Sequence, residues 1–159
     1  MGGGDQILGE GGNDLLIGGD GRDTIRGGLG NDILRGDTGN DLLAGGHGDD
    51  RISGGAGADR MFGGEGADRF VFGTISDLGR GNNADVIADF ESGVDRIALQ
   101  ALETNLTYIG KAAFSGTAGE VRFAPTRNVL AFDFDGDGAA DAVIHLPDVT
   151  VLLAEDLIL

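Results

Sequence analysis

Aspartate recurs at every ninth residue over the first 68 residues of this chain. Gly always lies two positions before these aspartates, and a large apolar residue always lies two positions after them. A flexible Gly-rich linker needs neither periodicity, so the pattern predicts a nine-residue structural unit that repeats. The repeat aspartates are Asp5, Asp14, Asp23, Asp32, Asp41, Asp50, Asp59 and Asp68.

Seven complete units run from Gly9 to Val71, each with Gly at position 1, Asp at position 6 and the apolar residue at position 8. Gly permits backbone angles that are closed to other residues and lets carbonyl oxygens crowd together, as a tight turn requires. We expect the glycines at positions 2 and 4 to line metal sites in the turns. They are Gly12, Gly19, Gly21, Gly28, Gly30, Gly39, Gly46, Gly48, Gly55, Gly57, Gly64 and Gly66.

The end of each unit predicts a short strand, because positions 7 to 9 alternate outward, inward and outward. One inward side chain cannot form a core, so two units are expected to pair back to back in a coil of 18 residues. Successive coils would then stack as parallel strands in two sheets with the apolar side chains between them. The sequence therefore predicts an all-β fold, a right-handed parallel β-roll.

Aspartates 18 residues apart are expected on neighbouring strands about 4.8 Å apart. Two oxygens that face each other across one calcium ion, each at about 2.4 Å, span the same distance, and turn carbonyls would complete the ligand set. Zinc is disfavoured because the chain has no Cys and His47 stands at a variable turn position. About six to eight calcium ions are predicted, and about eight would neutralise the net charge of −16. The expected pairs are 5/23, 14/32, 23/41, 32/50, 41/59 and 50/68.

Two resemblances follow from these residues. The unit resembles the Gly-Gly-x-Gly-x-Asp-x-(large apolar)-x repeat of the repeats-in-toxin (RTX) proteins. The later segments 67–72, 85–90, 93–97 and 113–120 are similar to the C-terminal domain of serralysin-type secreted zinc proteases. That resemblance implies that Asp77 and Asp85 close the last calcium site, and that the chain is a module of a secreted, extracellular bacterial protein. Ala98 departs from the family pattern, which commonly has Asp there.

A second acidic motif lies near the end of the chain. Asp133, Asp135 and Asp137 occupy positions 1, 3 and 5 of a loop with Gly138 at position 6, which resembles the first half of an EF-hand. The Glu at position 12 is missing, so Asp141 at position 9 would have to serve as the remaining ligand. The alternative is a solvated acidic hairpin, since Asp-Gly is a strong turn signal.

Beyond Val71 the glycines thin out and alternating segments predict an antiparallel β-sandwich-like part that caps the roll. The last five residues, 155–159, resemble the acidic-then-apolar tail with which RTX proteins address the type I (ABC transporter) export machinery. The alternative is a closing strand with two exposed acids. We expect a calcium-binding roll at 1–77 and a capping and secretion-signal region at 78–159. The expected strands are 85–90, 93–99, 105–109, 120–124, 129–134, 142–146 and 149–153.

Several classes of function are excluded or disfavoured. The negative charge disfavours nucleic acid and anionic membrane surfaces, and no apolar run is long enough to be inserted in a membrane. The sequence has no His-Glu-x-x-His, Gly-x-Ser-x-Gly or P-loop motif. We therefore expect a chain without catalytic activity that begins partway through a repeat. The resemblance to the serralysin-type proteases implies that the catalytic half of the protein lies upstream of Met1.

Two functions remain open. The first is a secretion and folding module that stays unfolded in the cell and folds on extracellular calcium. The alternative is a carbohydrate-binding or adhesive module, in which Arg51, Arg60 and Arg69 at position 7, with Arg26 and Arg35 at position 9, form a basic stripe for acidic polysaccharide. Charge balance against nearby acids is the simpler interpretation of these arginines, and the absence of Trp counts against sugar stacking.

Overall fold

The nine-residue units form strands, as seen in a computed structural model that describes residues 2–79, 83–102 and 105–159. Short 3-10 helices occupy Ile75–Asp77 and Ala154–Asp156. The strands of the described residues are β1 (Gln6–Gly11), β2 (Leu15–Asp20), β3 (Thr24–Leu29), β4 (Ile33–Thr38), β5 (Leu42–His47), β6 (Arg51–Ala56), β7 (Arg60–Glu65), β8 (Arg69–Val71), β9 (Asp85–Ile87), β10 (Arg96–Ala98), β11 (Thr107–Tyr108), β12 (Glu120–Ala124), β13 (Val129–Asp133), β14 (Ala142–His145) and β15 (Leu157–Ile158).

Strands pair in parallel with a register of 18 residues, so that Ile7 lies opposite Ile25 and Leu16 opposite Leu34. Each turn takes the chain to the opposite sheet, and odd and even strands therefore separate. One sheet has the order β1-β3-β5-β7-β9-β14-β13-β12-β11, and the other has the order β15-β10-β8-β6-β4-β2. The all-β parallel roll predicted from the repeat is confirmed.

The core lies between the two sheets and is formed by position 8 of the repeat. In the interior coils these side chains have no exposed surface, whereas Ile7 and Leu16 of the first coil are half-buried because no coil covers them. The same apolar cluster continues past the repeat through Phe72, Phe123 and Phe132. The fully buried repeat residues are Ile25, Leu34, Leu43, Ile52, Met61 and Phe70.

The predicted antiparallel part is present as β12, β13 and β14, and it extends one of the roll sheets. Ile144 of β14 lies opposite Asp85 of β9 in parallel, so both kinds of pairing share the nine-stranded sheet. The other sheet is closed by β15, which pairs with β10. Both sheets and the core thus continue beyond Val71, where the last complete unit ends, and the boundary expected at residue 77 stays a prediction.

The strand expected at 149–153 is wrong. A turn at Pro147 and Asp148, with a φ of 67° at Asp148, precedes these residues, and they form no strand although Val149 and Leu152 are buried. The strand expected at 105–109 is limited to Thr107–Tyr108. Residues 80–82 of the loop at 79–83 lie outside the described residues. Among the residues that are described, no helix is long and apolar enough to cross a membrane.

Candidate metal sites

The repeat aspartates form a ladder along each corner of the roll. From Asp23 onward, the Oδ1 atom of each repeat aspartate accepts a hydrogen bond from the backbone N–H of the Asp 18 residues earlier, for example from Asp14 to Asp32 at 2.8 Å. The two aspartates of every expected pair are thus neighbours. The backbone N–H of one donates to the carboxylate Oδ1 of the other. The bonds are Asp5 to Asp23, Asp14 to Asp32, Asp23 to Asp41, Asp32 to Asp50, Asp41 to Asp59, and Asp50 to Asp68, at 2.7–2.9 Å.

The second carboxylate oxygen, Oδ2, is buried and has no hydrogen-bond partner within the described part of the chain. A buried polar atom without a partner is costly, and so many with the same geometry indicate a common ligand. A cation that prefers oxygen would stabilise each of them. The atoms are Oδ2 of Asp14, Asp23, Asp32, Asp41, Asp50, Asp59, Asp68 and Asp85.

These oxygens border small spaces that exist because position 1 is Gly. A Cβ added to Gly9 would lie 2.8 Å from Oδ2 of Asp14 and 2.5 Å from the carbonyl oxygen of Gly27 in the next coil. A carboxylate oxygen and a carbonyl oxygen therefore lie together beside Gly9, and hard cations such as calcium prefer ligands of both kinds. The same two kinds of oxygen converge at Gly18, Gly27, Gly36 and Gly45. The kinds of oxygen present fit a calcium ion bound beside each of these glycines, and we call these sites the cradles.

The glycines at positions 2 and 4 hold the turns that contain the cradles. Gly28 and Gly30 have φ of 118° and 115°, and a Cβ on either would collide with a carbonyl group of the preceding coil. The exceptions at position 2, Glu10 and Asp37, adopt positive φ of 67° and 71°, a conformation that Gly adopts at less cost. The carbonyl groups of successive coils therefore pack closely. Which of them would contact a metal stays a prediction.

The carboxyl groups of the ladder are in an unfavourable environment when they are charged. Burial first, and then neighbouring carboxylates, raise the pKa of Asp50, Asp59 and Asp68 to about 6 and that of Asp85 to about 8. The backbone N–H donors oppose this rise without cancelling it. A divalent cation beside Oδ2 would favour the charged form and reverse the direction of these shifts.

The ladder continues beyond the repeat with irregular spacing. Asp85 accepts the N–H of Asp59 at 2.8 Å, 26 residues away, and Asp95 accepts the N–H of Asp68 at 3.0 Å, 27 residues away. Asp95 is absent from the set that we predicted, although its distance of three nine-residue units from Asp68 is a signal in the sequence.

Asp77, which keeps the repeat phase, does not extend the ladder. Its Oδ2 accepts the N–H groups of Gly73 at 2.8 Å and Thr74 at 3.1 Å, so it holds the start of the 3-10 helix. Its charge still contributes to the raised pKa of Asp59 and Asp85, which places it near their carboxylates. The closing of a calcium site by Asp77 and Asp85 stays a prediction.

The acidic loop brings together three of its four predicted ligands. Carboxylate oxygens of Asp133, Asp135 and Asp141 lie within 4.8 Å of one another. Asp137 is outside this group, and its Oδ1 accepts the N–H of Ala139 at 2.7 Å. Asp133 is fully buried, and its two oxygens accept N–H bonds from the glycines of the loop at 2.7 and 3.0 Å.

The predicted arginine stripe is wrong as a single surface. Arg26 and Arg60 lie on the nine-stranded sheet, whereas Arg35, Arg51 and Arg69 lie on the six-stranded sheet, because consecutive units alternate between sheets.

One true row of arginines remains. Arg51 lies opposite Arg69, and Arg69 lies opposite Arg96 on the next strand. Arg96 approaches the carboxylate of Asp156 at 3.7 Å, whereas Arg51 and Arg69 have no ion-pair partner among the described residues. We call these three side chains the arginine row.

The C-terminal tail is docked on the fold. Asp156 is fully buried, and its carboxylate accepts hydrogen bonds from Ser92 Oγ at 2.6 Å and from the N–H groups of Gly93 and Leu153 at 2.8 Å. The alternative of two exposed acids is therefore wrong, since only Glu155 is exposed. A buried carboxylate needs such donors, and two of the three come from a loop more than 60 residues away.

Comparison with known proteins places this geometry in context. The profile of the family described as Peptidase M10 serralysin C terminal matches residues 5–159. Metallopeptidase AprA of Pseudomonas marginalis is 42% identical over 81 residues, which are 47% of this chain and 16% of that protein. The chain thus spans about a sixth of the length of that relative.

Two solved structures of Azotobacter vinelandii mannuronan C5-epimerase subunits are also similar. The AlgE6R3 subunit is 30% identical with a TM-score of 0.42, covering 91% of this chain and 77% of that one. The AlgE6R2 subunit is 28% identical with a TM-score of 0.47, covering 95% of this chain and 90% of that one.

Proposed function

This chain belongs to the Peptidase M10 serralysin C-terminal family, and we propose that it is a non-catalytic, calcium-binding RTX module that folds on extracellular calcium. The observation that carries the proposal is the series of buried Oδ2 atoms without partners, which face carbonyl oxygens in the cradles. In this function the module supports the type I secretion and the stability of an upstream enzyme, a serralysin-like metalloprotease.

The energetics follow from the ladder. Without a cation the roll would bury unpaired carboxylate oxygens in two rows of like charge, which opposes folding. Calcium that binds only the folded chain adds its binding free energy to the free energy of folding. Extracellular calcium-binding modules have dissociation constants of about 10⁻⁴–10⁻³ M. The chain would therefore be unfolded during export at low calcium, and would fold outside the cell.

A calcium titration followed by far-UV circular dichroism tests this function. We expect a coil spectrum in excess chelator and a transition to β structure as calcium is added. Magnesium serves as the control, because it requires near-octahedral geometry and loses its water reluctantly. It should not produce the transition at equal concentration. Folded β structure in excess chelator at about pH 8, where the ladder carboxylates are charged, would contradict the proposal.

The ligands that we propose are the repeat aspartates, Asp77 and Asp85, the turn glycines and the acidic loop, for about six to eight ions in all. Equilibrium dialysis with atomic absorption would count the ions. For the acidic loop, the combined Asp133→Asn and Asp135→Asn substitutions should remove one ion, whereas Asp137→Asn should remove none, because Asp137 lies outside the group. An unchanged count in the combined variant would remove the loop from the ligand set.

The arginine row supports a second candidate function, the binding of acidic polysaccharide. Like charges on neighbouring strands repel unless an anion lies over them, and Arg51 and Arg69 have no acidic partner in the described chain. Sedimentation with alginate would test it: reversing the charge in Arg51→Glu and Arg69→Glu should abolish binding. Arg60→Glu on the other sheet should not, and equal binding by all variants would exclude this function.

A further inference from the structure

The last cradle of the roll differs from the others because the coil that follows it is irregular. Met61 of β7 lies opposite Ile87 of β9, and the N–H of Ala88 donates to the carbonyl of Met61 at 2.8 Å. Two residues further along both strands, Gly63 at position 1 of the last unit lies opposite Asp89. In the earlier coils the residue opposite position 1 is a Gly, and its carbonyl oxygen borders the cradle. For example, the carbonyl oxygen of Gly63 would lie 2.7 Å from a Cβ added to Gly45.

The side chain of Asp89 contacts the backbone of the strand that borders the last cradle. Its Oδ1 accepts the N–H of Gly63 at 2.9 Å, and its Oδ2 accepts the N–H of Gly64 at 3.1 Å. On the same residue, a Cβ added to Gly63 would meet Oδ2 of Asp68, which is buried and has no partner in the described chain. The carboxylate of Asp89 therefore lies at the amide of Gly63, and the carboxylate of Asp68 lies where a Cβ of Gly63 would point.

The turn that contains Asp89 does not form a cradle of its own. Asp95 follows Asp89 by six positions, whereas position 6 of a repeat unit follows position 1 by five. Both oxygens of Asp95 have donors, the N–H of Asp68 at 3.0 Å and the N–H of Glu91 at 2.9 Å. The series of cradles at this corner thus ends with the one between Gly63 and Asp68.

We propose that the calcium ion of this last cradle is bound by two carboxylates, Asp68 and Asp89, and is therefore the most tightly bound ion of its corner. The inference rests on the proposed function. The other cradles of this corner offer one unpartnered carboxylate oxygen and neutral carbonyls. An ionised carboxylate has about four acceptor positions, so Asp89 retains capacity for a cation beside its two N–H donors. More ligand charge gives higher calcium affinity.

The test measures bound calcium in the full chain by equilibrium dialysis over a range of free calcium. In the wild type, the site of Asp68 and Asp89 should be among the first to fill. Asp89→Asn should lower the calcium affinity of that one site about 10–100-fold. Asp49→Asn is the matched control, because Asp49 is an exposed carboxylate at the same corner that accepts the N–H of Ala67 at 2.9 Å. A double variant with Asp68→Asn should lose no more ions than Asp68→Asn alone, since both residues bind one ion.

The outcomes are distinct. Equal affinities in Asp89→Asn and the wild type, or additive losses in the double variant, would overturn the inference while the proposed function stands. A wild type that binds no calcium would overturn the proposed function itself. If Asp89→Asn does not fold at saturating calcium, Asp89→Glu and Asp89→Gln replace it in the test, because their side chains have equal length and differ in charge. Only the Gln variant should lose the tight ion, and equal counts in this pair would also refute the inference.

Discussion

Substituting Gly27 with Ala would place a methyl group in an interior cradle. The Cβ would contact Oδ2 of Asp32 and would lie 2.6 Å from the carbonyl oxygen of Gly45. A calcium ion needs both oxygens as ligands at about 2.3–2.6 Å, and the methyl group would block its approach to them. The φ of Gly27 lies outside the left-handed region, so the substitution adds no backbone strain. The effect therefore comes from crowding in the cradle, which excludes the ion and overpacks the atoms around it.

The expected magnitude has two parts. One ion at a free concentration 100-fold above its dissociation constant contributes about 2.7 kcal/mol of stability, and overpacking costs about 1–3 kcal/mol. Gly27→Ala should thus lower the free energy of unfolding by about 4–6 kcal/mol, a large part of the about 5–15 kcal/mol that is usual for a domain. Urea unfolding followed by circular dichroism measures it.

The calcium dependence separates the two parts. Each bound ion adds about 1.4 kcal/mol to the free energy of unfolding for every tenfold rise in free calcium. When the free energy of unfolding is plotted against the logarithm of calcium concentration, the slope for Gly27→Ala should be lower than that of the wild type by this amount. Gly11→Ala is the control, because its Cβ would meet only Leu29 atoms at 3.7–3.9 Å. A lower stability for Gly27→Ala with an unchanged slope would refute the reasoning, since overpacking alone would then explain the loss.

Three further predictions concern other parts of the molecule. Asp32→Asn should reduce the same calcium slope by at least one ion, whereas Asp20→Asn, at an exposed Asp bonded to Thr38, should leave it unchanged. Asp156→Ala should lower the free energy of unfolding in saturating calcium by about 3–5 kcal/mol, because its donors and Arg96 lose a buried carboxylate. The adjacent exposed Glu155→Ala should change it by at most about 0.5 kcal/mol, and similar losses for both would contradict the buried role. In metal-free buffer, the carboxyl groups with folded pKa values of about 6 to 8 keep protons that the unfolded chain releases near its ordinary pKa of 3.8. The metal-free fold should therefore be more stable at about pH 4 than above about pH 8, and identical circular dichroism spectra at both would refute this.

The regular part of the fold could be predicted from the sequence because its contacts repeat. A spacing of nine places every Asp at a corner and every position 8 in the core, and the 18-residue register follows from two units per coil. Stacking then needs only contacts between neighbouring coils, and identical units make identical contacts. The fully buried row from Ile25 to Phe70 and the Asp ladder are direct results of that periodicity.

The irregular end depended on the tertiary structure, because its contacts join residues whose separation departs from the 18-residue register and is 26 residues for Asp85 and 27 for Asp95. Insertions of different length let Asp85 and Asp95 continue the two ladders, while the in-phase Asp77 caps a 3-10 helix. Asp89 lies in a strand-like segment with no repeat signal, and only the pairing of β7 with β9 brings it to Gly63.

Asp156 and the arginines show the same division between local pattern and long-range contact. The sequence by itself determined the periodic coil, its core positions and its acidic turns. The tertiary structure decided which sheet each arginine lies on, and it buried one tail acid against a loop 63 residues away. Local periodicity specifies contacts between like units, whereas burial of a single charge requires donors that the fold alone brings together.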